Sequence, residues 1–335
     1  MRCLSLACEL KNQGAAVSFI CADLSGSFSK LVTAKNIDVL TISLTQKNKT
    51  ANNIQLQIYD SIQTNLLLED LQPDLVIVDH YSLNEVWENK IKRFGLKIMV
   101  IDDLADRNHH CDILLDQNDL NKDSSRYNAL VSESCELLLG PKYVMLRDEF
   151  KPSLAASYQP PESIKRLLLF FSLGDDKGET LKAMAGVEGS RGEFEVDVVV
   201  GKSNPNLDEI KKECAENSWE FHCQVDYMSE LMMKADLIIG GGGSTSWEKC
   251  FLGIPSLSVI LAENQVEITE SLENHGAIIN LGSYEKVLPS SYSSVLDKLN
   301  TQTLKEMSSQ ASLLVDGKGI YRVAKSIFSI LTVSN

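Results

Sequence analysis

The sequence predicts an α/β protein of two doubly wound halves, and three observations carry that prediction. Short β-rich runs alternate with helix-patterned stretches along the chain. The runs are continuously apolar, LVIVD at 75–79 being the clearest, which suits parallel strands covered by helices on both faces. The alternation stops once, over KPSLAASYQPPESI, where three prolines interrupt any periodicity, and then starts again. At 335 residues the chain has room for two domains of about 150 residues each.

Taken in order, the chain opens in a helix pattern (Leu4, Leu6, Ala7, Leu10) that Gly14 stops, with neither a strand nor a capping residue before it. Strands are expected at 15–21, 38–43, 75–79, 97–102 and 112–115, and in the second half at 166–171, 194–200, 219–222, 236–239, 256–259 and 277–281. Ile320, Val323, Ile327 and Ile330 make a helical stripe near the end. The expected organisation is a first domain over 1–151, a linker over 152–164, a second domain over 165–317, and a helix over 318–335 that packs back toward the first domain. No internal repeat is present. Two such halves place a ligand in the cleft between them, facing the carboxyl ends of the strands.

Composition excludes several classes. With 44% hydrophobic and 23% charged residues the chain is not disordered. Its 46 acidic against 32 basic residues, net −14, give no general attraction to nucleic acid or anionic lipid. A small anion remains possible, because backbone dipoles bind phosphate on acidic proteins too. No apolar stretch has the length of a membrane span, and Glu9 and Lys11 break the apolar core a signal peptide would need. Eight cysteines without a C-x-x-C pair read as cytosolic thiols, and the expected location is cytoplasmic.

The strongest chemical signal is DLIIGGGGSTSWEKCFLGIP at 236–255. An apolar strand runs into four glycines, and Ser-Thr-Ser opens a helix that Gly253 and Pro255 end. Gly241 to Gly243 permit close backbone approach, the helix N-terminus suits a diphosphate, and Ser244, Thr245 and Ser246 can cap or donate hydroxyls. Glu248, near the first turn, can accept from sugar hydroxyls. The alternative is a tight turn without a ligand.

Three further segments carry weaker signals. In FFSLGDDKGET, Gly174 and Gly178 could approach a phosphate, whereas Asp175 and Asp176 would repel one unless they act as caps. In LAENQVEIT, Glu263, Asn264 and Gln265 follow a strand, where they either enter the cleft or cap the next helix. Asp79, His80 and Tyr81 end the strand LVIVD, and His80 is either an acid-base group or a structural residue. His109, His110, Cys111 and Asp112 suggest a metal, but neighbours in an extended segment point to opposite faces, so none is expected.

Together DHYSL, DDLADRNHHCDILLDQN, GPKYVMLRDEF, GKSNPNL, GGGGSTSWEKCFLGIPSL and LAENQ resemble, in order and over nearly the whole chain, the PseG-type nucleotide-sugar hydrolases of pseudaminic acid biosynthesis. That family resembles inverting glycosyltransferases of the two-Rossmann GT-B architecture, close to MurG, with UDP held by the C-terminal half. The resemblance implies hydrolysis of UDP-2,4-diacetamido-2,4,6-trideoxy-β-L-altropyranose to UDP and free sugar, with inversion and without metal or cofactor. By position, Gly242, Gly243, Ser244 and Thr245 would meet the diphosphate, Glu248 the ribose and Gly174 the phosphates, with Gln265 also on the substrate. Tyr81 and Asn264 would stand near the reacting carbon and attacking water, with Asp79 and His80 in support.

The resemblance departs at the start. Family members open with a strand and a Gly-x-Gly-His loop whose His is the general base, and Met1 and Arg2 match the end of that motif. The implied first strand and base are therefore missing from this chain, through a start codon set downstream or a real truncation, and the chain as written would be inactive. Two other readings stand beside hydrolysis: a GT-B glycosyltransferase using a UDP-sugar donor, and a UDP-sugar-binding protein without catalysis. Nothing in the sequence sets an oligomeric state.

Overall fold

Leu4, Leu6, Ala7 and Leu10 fall on the buried side of the first helix, α1 (Arg2–Asn12), which Gly14 ends at φ +96°, a conformation glycine adopts without strain. The computed structural model describes residues 1–22, 28–43, 53–93, 95–118, 125–150, 158, 161–172 and 174–332. They divide into unit 1, Met1–Met145 with Lys318–Asn335, and unit 2, Leu146–Gly317. Of the expected linker, residues 152–157 and 159–160 lie outside the described residues.

Unit 1 continues with β1 (Ser18–Ala22), α2 (Phe28–Thr33), β2 (Asp38–Ile42), α3 (Asn53–Leu71), β3 (Leu75–Asp79), α4 (Glu85–Ile91), β4 (Lys97–Ile101), β5 (Ile113–Asp116) and β6 (Glu136–Leu139). Every pairing is parallel, as the apolar runs require. Strand β4 shows why these runs are apolar throughout. Ile98 and Val100 face a core shared with Leu68, Trp87, Ile91 and Tyr127, whereas Met99 and Ile101 face another, shared with Leu6 and Leu10. The unit's last helix, α12 (Gly319–Thr332), closes this second core with Ile320, Val323 and Ile327.

The sheet of unit 1 is in two pieces, β1-β2 and β3-β4-β5-β6. Ile20 of β1 packs on the same cluster as Val76 and Val78 of β3, yet the outer edges of these strands pair with nothing among the described residues. Strand β6 was not expected. Four residues at a sheet edge are too short to show a period, and ELLL runs directly into Gly140 and Pro141.

Unit 2 alternates without interruption: β7 (Arg166–Phe170), α5 (Glu179–Glu188), β8 (Glu195–Val200), α6 (Leu207–Glu216), β9 (Glu220–Cys223), α7 (Met228–Lys234), β10 (Leu237–Gly241), α8 (Thr245–Leu252), β11 (Ser256–Ile260), α9 (Val266–Asn274), β12 (Ile279–Ser283), α10 (Pro289–Leu296) and α11 (Thr301–Leu314). Its six parallel strands run β12-β11-β10-β7-β8-β9. The first strand of the unit thus lies beside the fourth, and the winding reverses between β7 and β10. Such a switch point is where an open α/β sheet leaves a crevice at its carboxyl edge.

A polar cluster at the carboxyl edge of unit 1 yields a test. The Tyr127 hydroxyl lies 3.0 Å from both Asp102 Oδ2 and Asp116 Oδ2, and one phenolic proton serves one of them. Arg107 lies 2.8 Å from Asp102, whereas Asp116 has Arg126 only at 3.7 Å, and burial outweighs that arginine and pushes the Asp116 carboxyl up to about 7. A raised folded pKa adds stability that is fully present below the unfolded value near 4 and is lost as pH rises to about 7. In Asp116→Asn this contribution is absent. Hydrogen exchange of the β5 amides, compared between wild type and variant at each pH, should show the difference shrinking by about 2–4 kcal/mol between pH 4 and 7.

Candidate functional site

The reversal brings together two loops that leave adjacent strand ends. Leu169 pairs with Ile239 and Phe170 with Gly240, so the backbones of β7 and β10 run side by side to their carboxyl ends. The contact leaves no room for side chains. A Cβ on Gly240 would lie 2.1 Å from the Phe170 carbonyl oxygen, and one on Gly241 2.8 Å from that of Phe171. On Gly242 it would meet Thr269 Oγ1 at 2.1 Å. Gly243 differs, its nearest neighbour being Gln265 Nε2 at 3.4 Å. Three glycines of the run are therefore required by packing, and the fourth opens to the surface.

Beyond the glycines, the loop turns its carbonyls inward. Gly242 N donates to Val259 O, Ser246 N to Gly243 O and Trp247 N to Ser244 O. The N–H groups of Gly243, Ser244 and Thr245 donate to no acceptor among the described residues. Ser244 occupies the N-cap of α8 without a side-chain cap bond, and it is exposed. Ser246 Oγ and Thr269 Oγ1 are buried with no partner among the described residues. Consecutive free N–H groups at a helix N-terminus form a cradle for an anion.

Gln265 joins this cradle. Its Oε1 accepts from Leu261 N at 3.0 Å, which holds its amide nitrogen against Gly243. Gln265 stands at the N-cap of α9 without a side-chain cap bond; Glu263–Gln265 form a 3-10 turn, and Asn264 is exposed there. On the β7 side, Gly174 is half-buried with open space at its Cα. The neighbouring aspartates act differently from each other. Asp175 is buried and caps α5, accepting from Glu179 N at 3.0 Å and Thr180 N at 2.8 Å. Asp176 is exposed beside Lys177.

Glu248 is not free, as its place in the sequence would suggest. Arg147 grips both oxygens, Nε to Oε1 at 2.6 Å and Nη2 to Oε2 at 2.9 Å, and stacks 5.2 Å over Phe150. Burial pushes the Glu248 carboxyl above its ordinary value, and the Arg147 guanidinium pulls the other way. Each oxygen keeps a lone pair for a further donor. Behind the loop, Lys249 Nζ reaches Gly241 O at 3.3 Å and Ser258 Oγ at 3.2 Å. Neither Arg147 nor Lys249 stood out in the sequence as a site residue.

In unit 1, Tyr81 is exposed and the His80 ring accepts from Ser82 N at 3.0 Å. Asp79 is held by Arg2 at 2.8 and 3.0 Å and by the Cys3 thiol. Burial alone would push its carboxyl up, but Arg2 outweighs burial and holds it below the ordinary range. The suspected metal group is dispersed: His109 pairs with Glu88, His110 with Asn89, Cys111 lies by Cys135, and Asp112 binds Lys92 and Lys97. Among the described residues no three such side chains could hold a metal, and no helix is long and apolar enough to cross a membrane.

Residues 176–327 match the model of the glycosyltransferase family 28 C-terminal domain. The hydrolase of UDP-2,4-diacetamido-2,4,6-trideoxy-β-L-altropyranose from Campylobacter jejuni is 27% identical over 269 residues, covering 80% of this chain and 89% of that protein. The uncharacterized protein MJ1062 of Methanocaldococcus jannaschii is 28% identical over 210 residues, 60% of this chain and 42% of its own length. SpsG, a spore coat polysaccharide biosynthesis protein of Bacillus subtilis, is 23% identical over 59% of this chain and 60% of its own length. The chain thus spans less than two thirds of two of these relatives. Among solved structures, MurG of Acinetobacter baumannii superposes with a TM-score of 0.69 at 15% identity, covering 98% of this chain and 95% of that one. The calicheamicin glycosyltransferase CalG4 gives 0.66 at 14%. These likenesses establish the fold as GT-B, two parallel-sheet α/β domains.

The glycine geometry makes a graded prediction. Gly240→Ala forces a methyl into the Phe170 carbonyl and should cost about 3 kcal/mol or more in urea unfolding monitored in unit 2. Gly243→Ala, with room for its methyl, should stay within about 1 kcal/mol of wild type. Equal losses at the two positions would contradict the assignment of packing to one glycine and access to the other.

Proposed function

We propose that the chain acts on UDP-sugars, with unit 2 holding UDP, and that the reaction is hydrolysis of a UDP-linked 2,4-diacetamido-2,4,6-trideoxyhexose to UDP and free sugar. The observation that carries this reading is the row of free N–H groups at Gly243, Ser244 and Thr245, at the switch point of the unit 2 sheet. The likeness to the Campylobacter hydrolase over most of both chains supports the substrate class.

In the proposed reaction a water oxygen bonds to the anomeric carbon as the bond from that carbon to the diphosphate oxygen breaks. The water's proton passes to a base, and the negative charge passes to the departing UDP. The free N–H groups and the positive end of α8 oppose that charge where it develops. Gly242 and Gly174 border the diphosphate, Gln265 contacts the substrate, and Glu248 accepts from a ribose hydroxyl. Tyr81 and Asn264 act at the reacting carbon and the water, with the product sugar inverted.

Transfer of the sugar to an acceptor is the second reading, favoured by the family 28 match over residues 176–327. The deciding assay incubates the chain with the UDP-sugar and follows UDP and free sugar. Hydrolysis releases both in equal amounts without an acceptor, whereas transfer needs one. UDP binding without either release would leave a binding protein.

The ribose assignment has its own test. Glu248→Ala should weaken UDP about tenfold to a hundredfold by calorimetry, the range of a lost charge-assisted hydrogen bond. That change also unpairs Arg147, so loss of affinity alone does not identify a ribose contact. The decisive comparison is UDP with its 2′-deoxy and 3′-deoxy analogues. Wild type should discriminate against at least one of them, and Glu248→Ala should not.

A further inference from the structure

Lys249 is a buried cation without a carboxylate of its own. It sits on the second turn of α8, 2% exposed, with its ammonium directed back under the glycine loop. Its two acceptors, the Gly241 carbonyl and the Ser258 hydroxyl, are neutral. The adjacent carboxylate, Glu248, is taken by Arg147, and no carboxylate among the described residues lies within ion-pair distance of Lys249. Charge buried on these terms is costly unless an anion compensates it. The same loop presents the free N–H groups of Gly243, Ser244 and Thr245.

We propose that Lys249 is the positioning cation of this cradle: it turns the Gly241 carbonyl away from the anion and adds positive potential beneath the loop, favouring a nucleoside diphosphate without touching it. The inference rests on the diphosphate reading above. Its chemistry is electrostatic, so it should act on the charged part of the ligand and leave the nucleoside alone.

The position also makes Lys249 titrate usefully. Burial lowers its ammonium to about 8, against the opposing charge of Glu248 on its own helix. The facing strands β10 and β11 present Gly241 and Ser258. The helices packed on α8 bury Met228, Ser229, Leu231 and Met232 from α7, and Leu304, Met307, Ser308 and Ala311 from α11, none of which titrates. The Cys250 thiol, pushed up to about 12, stays neutral throughout. A bound anion stabilises the charged form, so binding should take up protons near pH 8.

The experiment is calorimetry of UDP and of uridine on the full chain from pH 7 to 9.5, in buffers of different ionisation enthalpy. UDP's terminal phosphate, with a second pKa of about 6, is fully ionised over this range. Wild type should take up protons on binding UDP near pH 8, and its UDP affinity should fall on the order of tenfold by pH 9.5, equivalent to a one-unit shift of Lys249 on binding. Uridine affinity should not change with pH. Lys249→Met should show the weaker UDP affinity at every pH, without proton uptake. The wild-type series stands even if that variant fails to fold. UDP affinity that is flat with pH, or the same proton uptake in Lys249→Met, overturns the role of Lys249 while leaving the diphosphate site intact. No binding of UDP by wild type at any pH overturns the diphosphate reading and this inference with it.

Discussion

The backbone contact between β7 and β10 is the constraint from which unit 2 takes its character. It admits no Cβ at Gly240 and little at Gly241, so the strand must end in glycines, and a glycine-rich strand end leads into a loop that can turn its carbonyls inward. The contact is itself a consequence of strand order, because only at the reversal do two crossovers leave neighbouring strands in opposite directions. The same feature that packs the sheet therefore creates the crevice. Asp236 reinforces it from the other end, accepting from Lys165 N and Arg166 N at 2.8 Å each, which fixes the start of β7 against the residue preceding β10.

Around that contact the unit buries charge, and each buried group is handled differently. Glu248 is matched by the two parallel bonds of Arg147, a geometry lysine could not reproduce. Asp175 spends both its oxygens on N–H groups of α5 and so presents little negative charge toward the neighbouring Gly174 turn. Lys249 has only neutral partners. Asp175 is satisfied by the N–H groups it caps, and Glu248 keeps a lone pair on each oxygen beside its Arg147 bonds, whereas Lys249 meets no charge of opposite sign within ion-pair distance among the described residues.

Local chemistry was legible in the sequence to the extent that it was local. DLIIGG announced a buried parallel strand through its lack of any polar alternation, LVIVD announced a parallel strand of which only Val78 is buried because β3 lies at the edge of its sheet, and Gly14 and Gly253 announced helix ends that the structure places at φ +96° and +68°. Strand β6, four residues at an edge, gave no period to read. Contacts over long separations were opaque for a different reason. Arg147 meets Glu248 across 101 residues and Arg2 meets Asp79 across 77, and no spacing rule links such pairs. Asp175 shows the intermediate case: its acidity argued against a phosphate turn, and only the direction of its carboxylate, set by φ +39° at its own backbone, showed it to be a cap.

The features of unit 2 bear equally on hydrolysis and on transfer, and this follows from the chemistry rather than from any ambiguity in the geometry. Both reactions break the same bond and leave the same diphosphate, so a cradle that opposes charge on the leaving group lowers both barriers alike. Discrimination between water and a sugar acceptor must arise where the nucleophile stands, through a base to take its proton and through space that admits one nucleophile and excludes the other. The groups of unit 1 that the sequence offered for that task, Asp79, His80 and Tyr81, are differently available. Asp79 is committed to Arg2 and Cys3, His80 accepts from the backbone, and Tyr81 is exposed at the carboxyl edge of β3. Of the three, Asp79 is the side chain that a substrate could engage only by breaking an ion pair.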